Sequence, residues 1–296
     1  AWLPGPGGAV DGNLWVADRV QGLCRVDLDA GGTQFVLNPA TCSTAASMPG
    51  QFAFAAAGNF LYVPAGAVGS ASIVRLSYDP ATESVGSPVA ISTAPGVAPV
   101  PDLRPAAAAI GPNGSVYVSF LNSASIVRIV AAASASPIVQ PVGTASAAGV
   151  RALAFVGSDL YLAESGGVTR MAGADTCSGA CAATAVASLS VAAPLSLAAD
   201  ATHLYIGNVA GVYRYNLTTG VQELFGDTGT AVIPGNAINP PLINVTSLAI
   251  EGTNLYAADD PTGGANLMAR TWRMQAGDAA GGDPAAPINV ATLYAE

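Results

Sequence analysis

SDLYLAESGGVTRM, residues 158–171, is two short strands joined by a glycine turn. In LYLAE the side chains alternate between faces, as in a strand buried on both sides. Ser-Gly-Gly interrupts the run, and VTRM resumes it with an arginine. The same phrase recurs as GNLWVADRVQGLCRV at 12–26, GSVYVSFLNSASIVRI at 114–129 and THLYIGNVAGVYRY at 202–215. Aligned on its aromatic residue, the phrase occurs at Trp15, Tyr62, Tyr117, Tyr161, Tyr205 and Tyr256, 44 to 55 residues apart. The strand after each aromatic carries an arginine: Arg25, Arg75, Arg128, Arg170, Arg214 and Arg273.

A small apolar strand precedes each of the later five phrases: QFAFAA, RPAAAAI, VRALAFV, PLSLAA and VTSLAI. A fourth strand fits after the arginine, as in TQFVLN at 33–38, SVGSPVAI at 84–91, TAVASL at 184–189, VQELF at 221–225 and INVATLYA at 288–295. No segment keeps a helical period; the Ala-rich run 130–136 is broken by serines and Pro137. Short alternating strands between Gly, Asn, Asp and Pro turns define an all-β chain. Four strands per unit and a period near 45 residues predict a six-bladed β-propeller with four antiparallel strands per blade. The whole chain, 1–296, then forms one domain, with blades at about 1–42, 50–92, 104–143, 150–190, 194–226 and 244–296. Residues 1–10 supply either the inner strand of the first blade or an addition to the last.

GNLWVAD, SDLYLAES and TNLYAADD, each followed by an arginine-bearing strand, resemble NHL-repeat propellers and, more loosely, gluconolactonase-like six-bladed propellers. The second resemblance implies a few Glu, Asn and Asp ligands around one axial metal. Glu164, Asn208 and Asp259 stand where such ligands would, with Asp18 beside them and Asn244 ahead of the sixth inner strand. Oxygen ligands of this kind suit Ca²⁺ or Mg²⁺. The family also takes ligands from its inner strands, which are almost wholly apolar here. The competing reading gives these acids and amides a capping role, accepting from backbone N–H groups of their own turns.

The six repeat arginines have a structural reading as well. A guanidinium has five donors and can satisfy carbonyls between neighbouring blades or pair with a nearby acid. Arg104 and Arg151 differ, since each immediately precedes an inner strand. With Asp102 they can line a pocket on the upper face or form a surface ion pair. Two long, proline-rich loops, 92–104 and 226–243, also lead into inner strands. The second carries the apolar residues Val232, Ile233, Ile238 and Leu242, which makes these loops candidates for recognition.

Composition limits the rest. All ten basic residues are arginine, the formal net charge is −9, and only 10% of residues are charged, against about 25% in an average protein. A chain this acidic lacks the basic footprint that nucleic acid or an anionic lipid surface needs. Its sparse charges suit a surface that is covered in an assembly. No apolar run is long enough to span a bilayer. Cys24, Cys42, Cys177 and Cys181 lie in two local pairs, which predicts two disulfides and an extracytoplasmic, periplasmic or secreted location. CSGAC is followed by Ala182, so there is no haem-attachment motif. His203 is the only histidine, which excludes a multi-histidine metal site and leaves a Ser-His-Asp mechanism without a placed base.

Two functions follow from these residues. The first is a non-catalytic propeller that binds a protein partner as a scaffold subunit, with no cofactor and no small-molecule substrate. The alternative is a lactonase-like hydrolase with an axial Ca²⁺ or Mg²⁺, in which Asp18 or Glu164 moves protons.

Overall fold

The computed structural model describes residues 2–3, 13–18, 22–28, 35–38, 42, 54–65, 72–91, 105–134, 136–179, 181–227, 244–251, 254–259, 270–275 and 292–293. Among them there is one 3₁₀ turn, Ala174–Thr176, and no α-helix. The described strands form six sheets. The first holds β1 (Trp2–Leu3), β2 (Asn13–Asp18), β3 (Gly22–Leu28) and β4 (Phe35–Asn38). The second holds β5 (Ala55–Ala57), β6 (Phe60–Ala65) and β7 (Ser72–Asp79), with β8 (Ser84–Val85) and β9 (Val89–Ile91) both paired to β7. The third is β10 (Pro105–Ile110), β11 (Val116–Phe120), β12 (Ser123–Val130) and β13 (Ile138–Thr144). The fourth is β14 (Ala152–Val156), β15 (Asp159–Glu164), β16 (Gly167–Met171) and, after β17 (Cys181–Ala182), β18 (Thr184–Ala185). The fifth is β19 (Ser196–Ala199), β20 (His203–Asn208), β21 (Gly211–Asn216) and β22 (Gln222–Asp227). The sixth is β23 (Val245–Glu251), β24 (Asn254–Asp259), β25 (Arg270–Gln275) and β26 (Thr292–Leu293).

The chain divides into two compact units. Residues 1–164 with 169–185 make the first, and 165–168 with 186–296 the second. In the first unit, strand alternation decides how consecutive sheets stack. Leu61 and Val63 pack with Trp15 and Leu23 of the first sheet, while Tyr62 between them packs with Val116 and Val118 of the third. Tyr117 points the other way and joins Leu160 and Leu162 of the fourth. The second and third sheets thus bury both faces, which a lone sheet cannot do. In the second unit the same arrangement joins Tyr205 and Val212 to Val245, Leu255 and Ala257.

The repeated aromatic is buried at all six positions. From the second sheet to the sixth, an inner-strand alanine is its cross-strand partner: Ala55 for Tyr62, Ala109 for Tyr117, Ala154 for Tyr161, Ala198 for Tyr205 and Ala249 for Tyr256. A small residue opposite a large ring fills the space without overpacking, and this accounts for much of the inner strands' alanine. On its other side the aromatic pairs with the repeat arginine: Trp15 with Arg25, Tyr62 with Arg75, Tyr117 with Arg128, Tyr205 with Arg214 and Tyr256 with Arg273.

Several boundaries differ from the sequence reading. β1 pairs with β2, so the first residues complete the first sheet. The predicted strand at 184–189 shrinks to Thr184–Ala185, and that at 221–225 shifts to Gln222–Asp227, which takes the start of the predicted 226–243 loop; of the predicted strand at 288–295, Thr292–Leu293 lies among the described residues. The third sheet gains a partner from further along the chain, because β17 pairs in parallel with the outer edge of β13. Gly143 makes this possible: a Cβ there would sit 1.9 Å from the Cys181 carbonyl oxygen. The Cys177–Cys181 disulfide closes the short loop entering β17, and Cys24–Cys42 joins β3 to the segment after β4. Both predicted disulfides are present.

Candidate functional site

Asp18, Glu164, Asn208 and Asp259 are each the last residue of their sheet's second strand. The repeat therefore brings all four to equivalent strand ends. The side chains of Asp18 and Asp259 lie outside the described residues, as do Asp102, Arg104, Val232, Ile233, Ile238 and Leu242.

The Glu164 carboxylate is buried, at 1% exposure. Its Oε1 accepts from the Ser146 N–H at 3.1 Å and from the Thr169 hydroxyl. Its Oε2 accepts from the Ala147 N–H at 3.0 Å and from the Ser146 hydroxyl. Four donors fill the positions that an ionised carboxylate offers, and all come from the protein. Glu164 thereby fastens the start of the 145–151 loop, which carries the chain from the third sheet into the fourth. Ser119 Oγ holds the other end of that loop by donating to the Val150 carbonyl at 3.3 Å.

Asn208 does the same with an amide. Its Oδ1 accepts from the Ala210 N–H at 2.8 Å in its own turn, and its Nδ2 donates to the Ala192 carbonyl at 3.3 Å, just ahead of β19. Asn244 precedes β23 in the left-handed region, with φ of 59°, and its N–H points at the Val209 carbonyl, 3.4 Å away. Among the described residues no group of three or more His, Cys, Asp or Glu side chains is placed to hold a metal ion.

The arginines divide into two groups. In the first unit, Arg25 pairs with Glu83, Arg75 Nη1 donates to the Ser134 carbonyl at 2.8 Å, and Arg128 Nη1 donates to the Asp175 carbonyl at 2.9 Å. Each acceptor lies in the turn after the third strand of the following sheet. Two of the aromatics reach the same turn as their arginine, since Tyr62 donates to the Ala132 carbonyl and Tyr117 reaches the Ala174 carbonyl at 3.4 Å, while Trp15 packs edge-on to Tyr78 in β7, just ahead of the turn. Burial pushes the Tyr62 and Tyr117 phenols up from their ordinary pKa, so they remain donors. Sequence reading identified the arginine but missed its partnership with the aromatic, because the two are about ten residues apart and meet only through strand register. Arg170 and Arg214 instead pair within their own sheets, with Asp159 at 2.9 Å and Glu223 at 2.7 Å. Arg273 lies on β25, and its side chain is outside the described residues.

Arg151 stands apart. It is exposed, its N–H donates to the Ala163 carbonyl at 2.8 Å, and its guanidinium makes no ion pair or hydrogen bond with a described residue. Arg151 and Ala152 both face Ala163, and Glu164 beyond it has its oxygens already occupied.

His203 starts β20, with Thr202 Oγ1 2.8 Å from Nδ1 and Asn216 Nδ2 3.2 Å from Nε2. Asp200 accepts from the N–H groups of Thr202 and His203, both at 2.7 Å, and from the Tyr205 hydroxyl at 3.1 Å. Burial opposes charge on Asp200, but these hydrogen bonds outweigh it and lower its pKa. Burial, reinforced by Asp200, raises that of Tyr205. The cluster caps the β19–β20 turn.

No family model matches the chain, and no curated protein does. Solved structures do. A PQQ-bound aldose sugar dehydrogenase from Streptomyces coelicolor is similar over 95% of this chain and 90% of its own, at 17% identity and a TM-score of 0.53. A virginiamycin B lyase from Staphylococcus aureus, solved with quinupristin, is similar over 97% and 81%, at 14% identity and 0.55. A protein of unknown function from Desulfotomaculum acetoxidans is similar over 89% and 78%, at 13% identity and 0.52. At these identities the likeness is one of fold, and that fold is the β-propeller.

Proposed function

We propose that residues 1–296 form one six-bladed propeller, built of NHL-like repeats, that works outside the cytoplasm as a non-catalytic scaffold subunit and binds another protein. The observation that carries this reading is the state of Glu164 and Asn208. These two residues end second strands and belong to the ligand set that the hydrolase reading needs, yet their polar atoms are engaged by the loops they fasten. Their chemistry supports a rigid rim rather than proton transfer. The two disulfides agree with an oxidising compartment, and among the described residues no helix is long and apolar enough to cross a membrane.

A hydrolase using Ca²⁺ or Mg²⁺ is the second reading. It is favoured by one observation: Asp18 and Asp259 also end second strands, and with Asn244 they can supply oxygen ligands. One experiment separates the two. The protein is purified from its native source after mild cross-linking, and the metal content of the uncross-linked material is measured. A partner in stoichiometric amount with no bound divalent ion is expected. A monomer carrying one tightly held divalent ion would overturn the scaffold reading in favour of the hydrolase.

A further inference from the structure

We propose that residues 148–151 form a binding site for a carboxylate of the protein partner; this rests on the scaffold reading above. Four observations within the first unit carry it. The loop is rigid, because the buried Glu164 holds Ser146 and Ala147 while Ser119 holds Val150. Beyond those two N–H groups, the N–H groups of Ala148 and Gly149 donate to no described residue. Gly149 has φ of 90° and follows Ala148, which is not among the positive-φ residues. That succession of φ signs is one that a backbone anion-binding nest requires. Finally, the Arg151 guanidinium is exposed two residues on.

Among the described arginines, Arg151 alone has no side-chain partner, since Arg25, Arg75, Arg128, Arg170 and Arg214 all have one. Glu164 ends β15 one residue past the Ala163 carbonyl that accepts from Arg151, and its oxygens are taken by four donors. What the loop offers outward is therefore two N–H groups and a guanidinium, with the small side chains of Ala147 and Ala148 leaving access to them. A planar two-oxygen anion matches that set: one oxygen on the two N–H groups and one on the guanidinium. A single negative charge fits better than a phosphate dianion, because the chain carries a net charge of −9 and the buried Glu164 carboxylate lies beneath the loop.

The test uses the whole protein with ¹⁵N-labelled arginine and backbone amides, at low salt. It is titrated with acetyl-glycyl-glycine, which ends in a free carboxylate, and separately with its amide. Saturable shifts are expected at the Ala148 and Gly149 amides and at the Arg151 side chain. The midpoint should lie at least tenfold below that of blocked free arginine titrated in the same way. The amide should leave all three unmoved, and R151Q should abolish the saturation while its amide spectrum stays that of the folded protein. A response no tighter than that of blocked arginine, or one shared equally by Arg170, would overturn the site. Because the probe needs no partner, a failure here alongside a recovered partner refutes the carboxylate site alone. Binding here with no partner recovered refutes the scaffold reading alone.

Discussion

Replacing Glu164 with glutamine is the sharpest perturbation of the rim. The side chain keeps its size, loses its charge and exchanges one oxygen for an NH₂ group. Each carboxylate oxygen accepts from one backbone N–H and one hydroxyl. The hydroxyls of Ser146 and Thr169 can rotate to accept from the new amide, but a backbone N–H cannot. Either amide orientation thus sets NH₂ against the N–H of Ser146 or of Ala147. An unsatisfied donor costs about 1–3 kcal/mol, and loss of charge-assisted hydrogen bonds adds to this. Ser146 and Ala147 are themselves exposed, so water relieves part of the penalty. A net destabilisation of about 2 kcal/mol is expected, lowering the melting temperature by roughly 4–8 °C. The assay is thermal unfolding of wild type and E164Q, both dialysed against EDTA. If Glu164 were a metal ligand instead, its carboxylate would face other ligand oxygens in the stripped protein, and E164Q would melt at the same temperature or higher. That result would refute the loop-clamp reasoning.

Two further outcomes follow from the same structure. Arg128→Ala removes a charged donor to the Asp175 carbonyl and the contact with Gln140, at a cost of about 1.5–3 kcal/mol, whereas Arg170→Ala breaks a half-exposed pair and costs under about 1 kcal/mol. Urea denaturation of both variants checks the contrast, and equal effects would mean that the link to the next sheet carries no special weight. Asp200 has a folded pKa below its unfolded one, so its stabilising contribution is present above the unfolded value near 4 and is lost as pH falls through the folded value. The stability difference between wild type and Asp200→Asn should therefore be constant near neutral pH and shrink below about pH 4; a difference that grows on acidification would contradict the assignment.

The repeat was legible because strand physics writes it directly into the residues. A ring that packs on one neighbouring sheet, flanked by a leucine or valine that packs on the other, must alternate, and Tyr62 between Leu61 and Val63 shows that alternation. The cysteine pairs were legible from their short separations. What composition could not display was register. Tyr117 and Arg128 act as one latch only because β11 and β12 pair in the observed alignment. Likewise nothing in CSGAC announces that Cys181 will add to the edge of β13, since that depends on the missing Cβ of Gly143, 38 residues earlier.

The acids at the strand ends show the same limit from the functional side. Glu164 in a sequence is equally a ligand or a cap, because both uses place a carboxylate where a strand stops. The difference lies in what returns to meet it. Here a loop from the preceding sheet returns with two N–H groups and a hydroxyl, and Thr169 adds a second hydroxyl from the next strand. Asn208 meets only one N–H and one carbonyl, and an amide, which both donates and accepts, is the residue that suits that pair. The residue type at these two strand ends thus follows the donors and acceptors of the loop each fastens, and the variation between Glu164 and Asn208 is local hydrogen-bond matching. Arg151 departs from that rule: near a matched Glu164, its guanidinium has no partner among the described residues, and that directs attention to it.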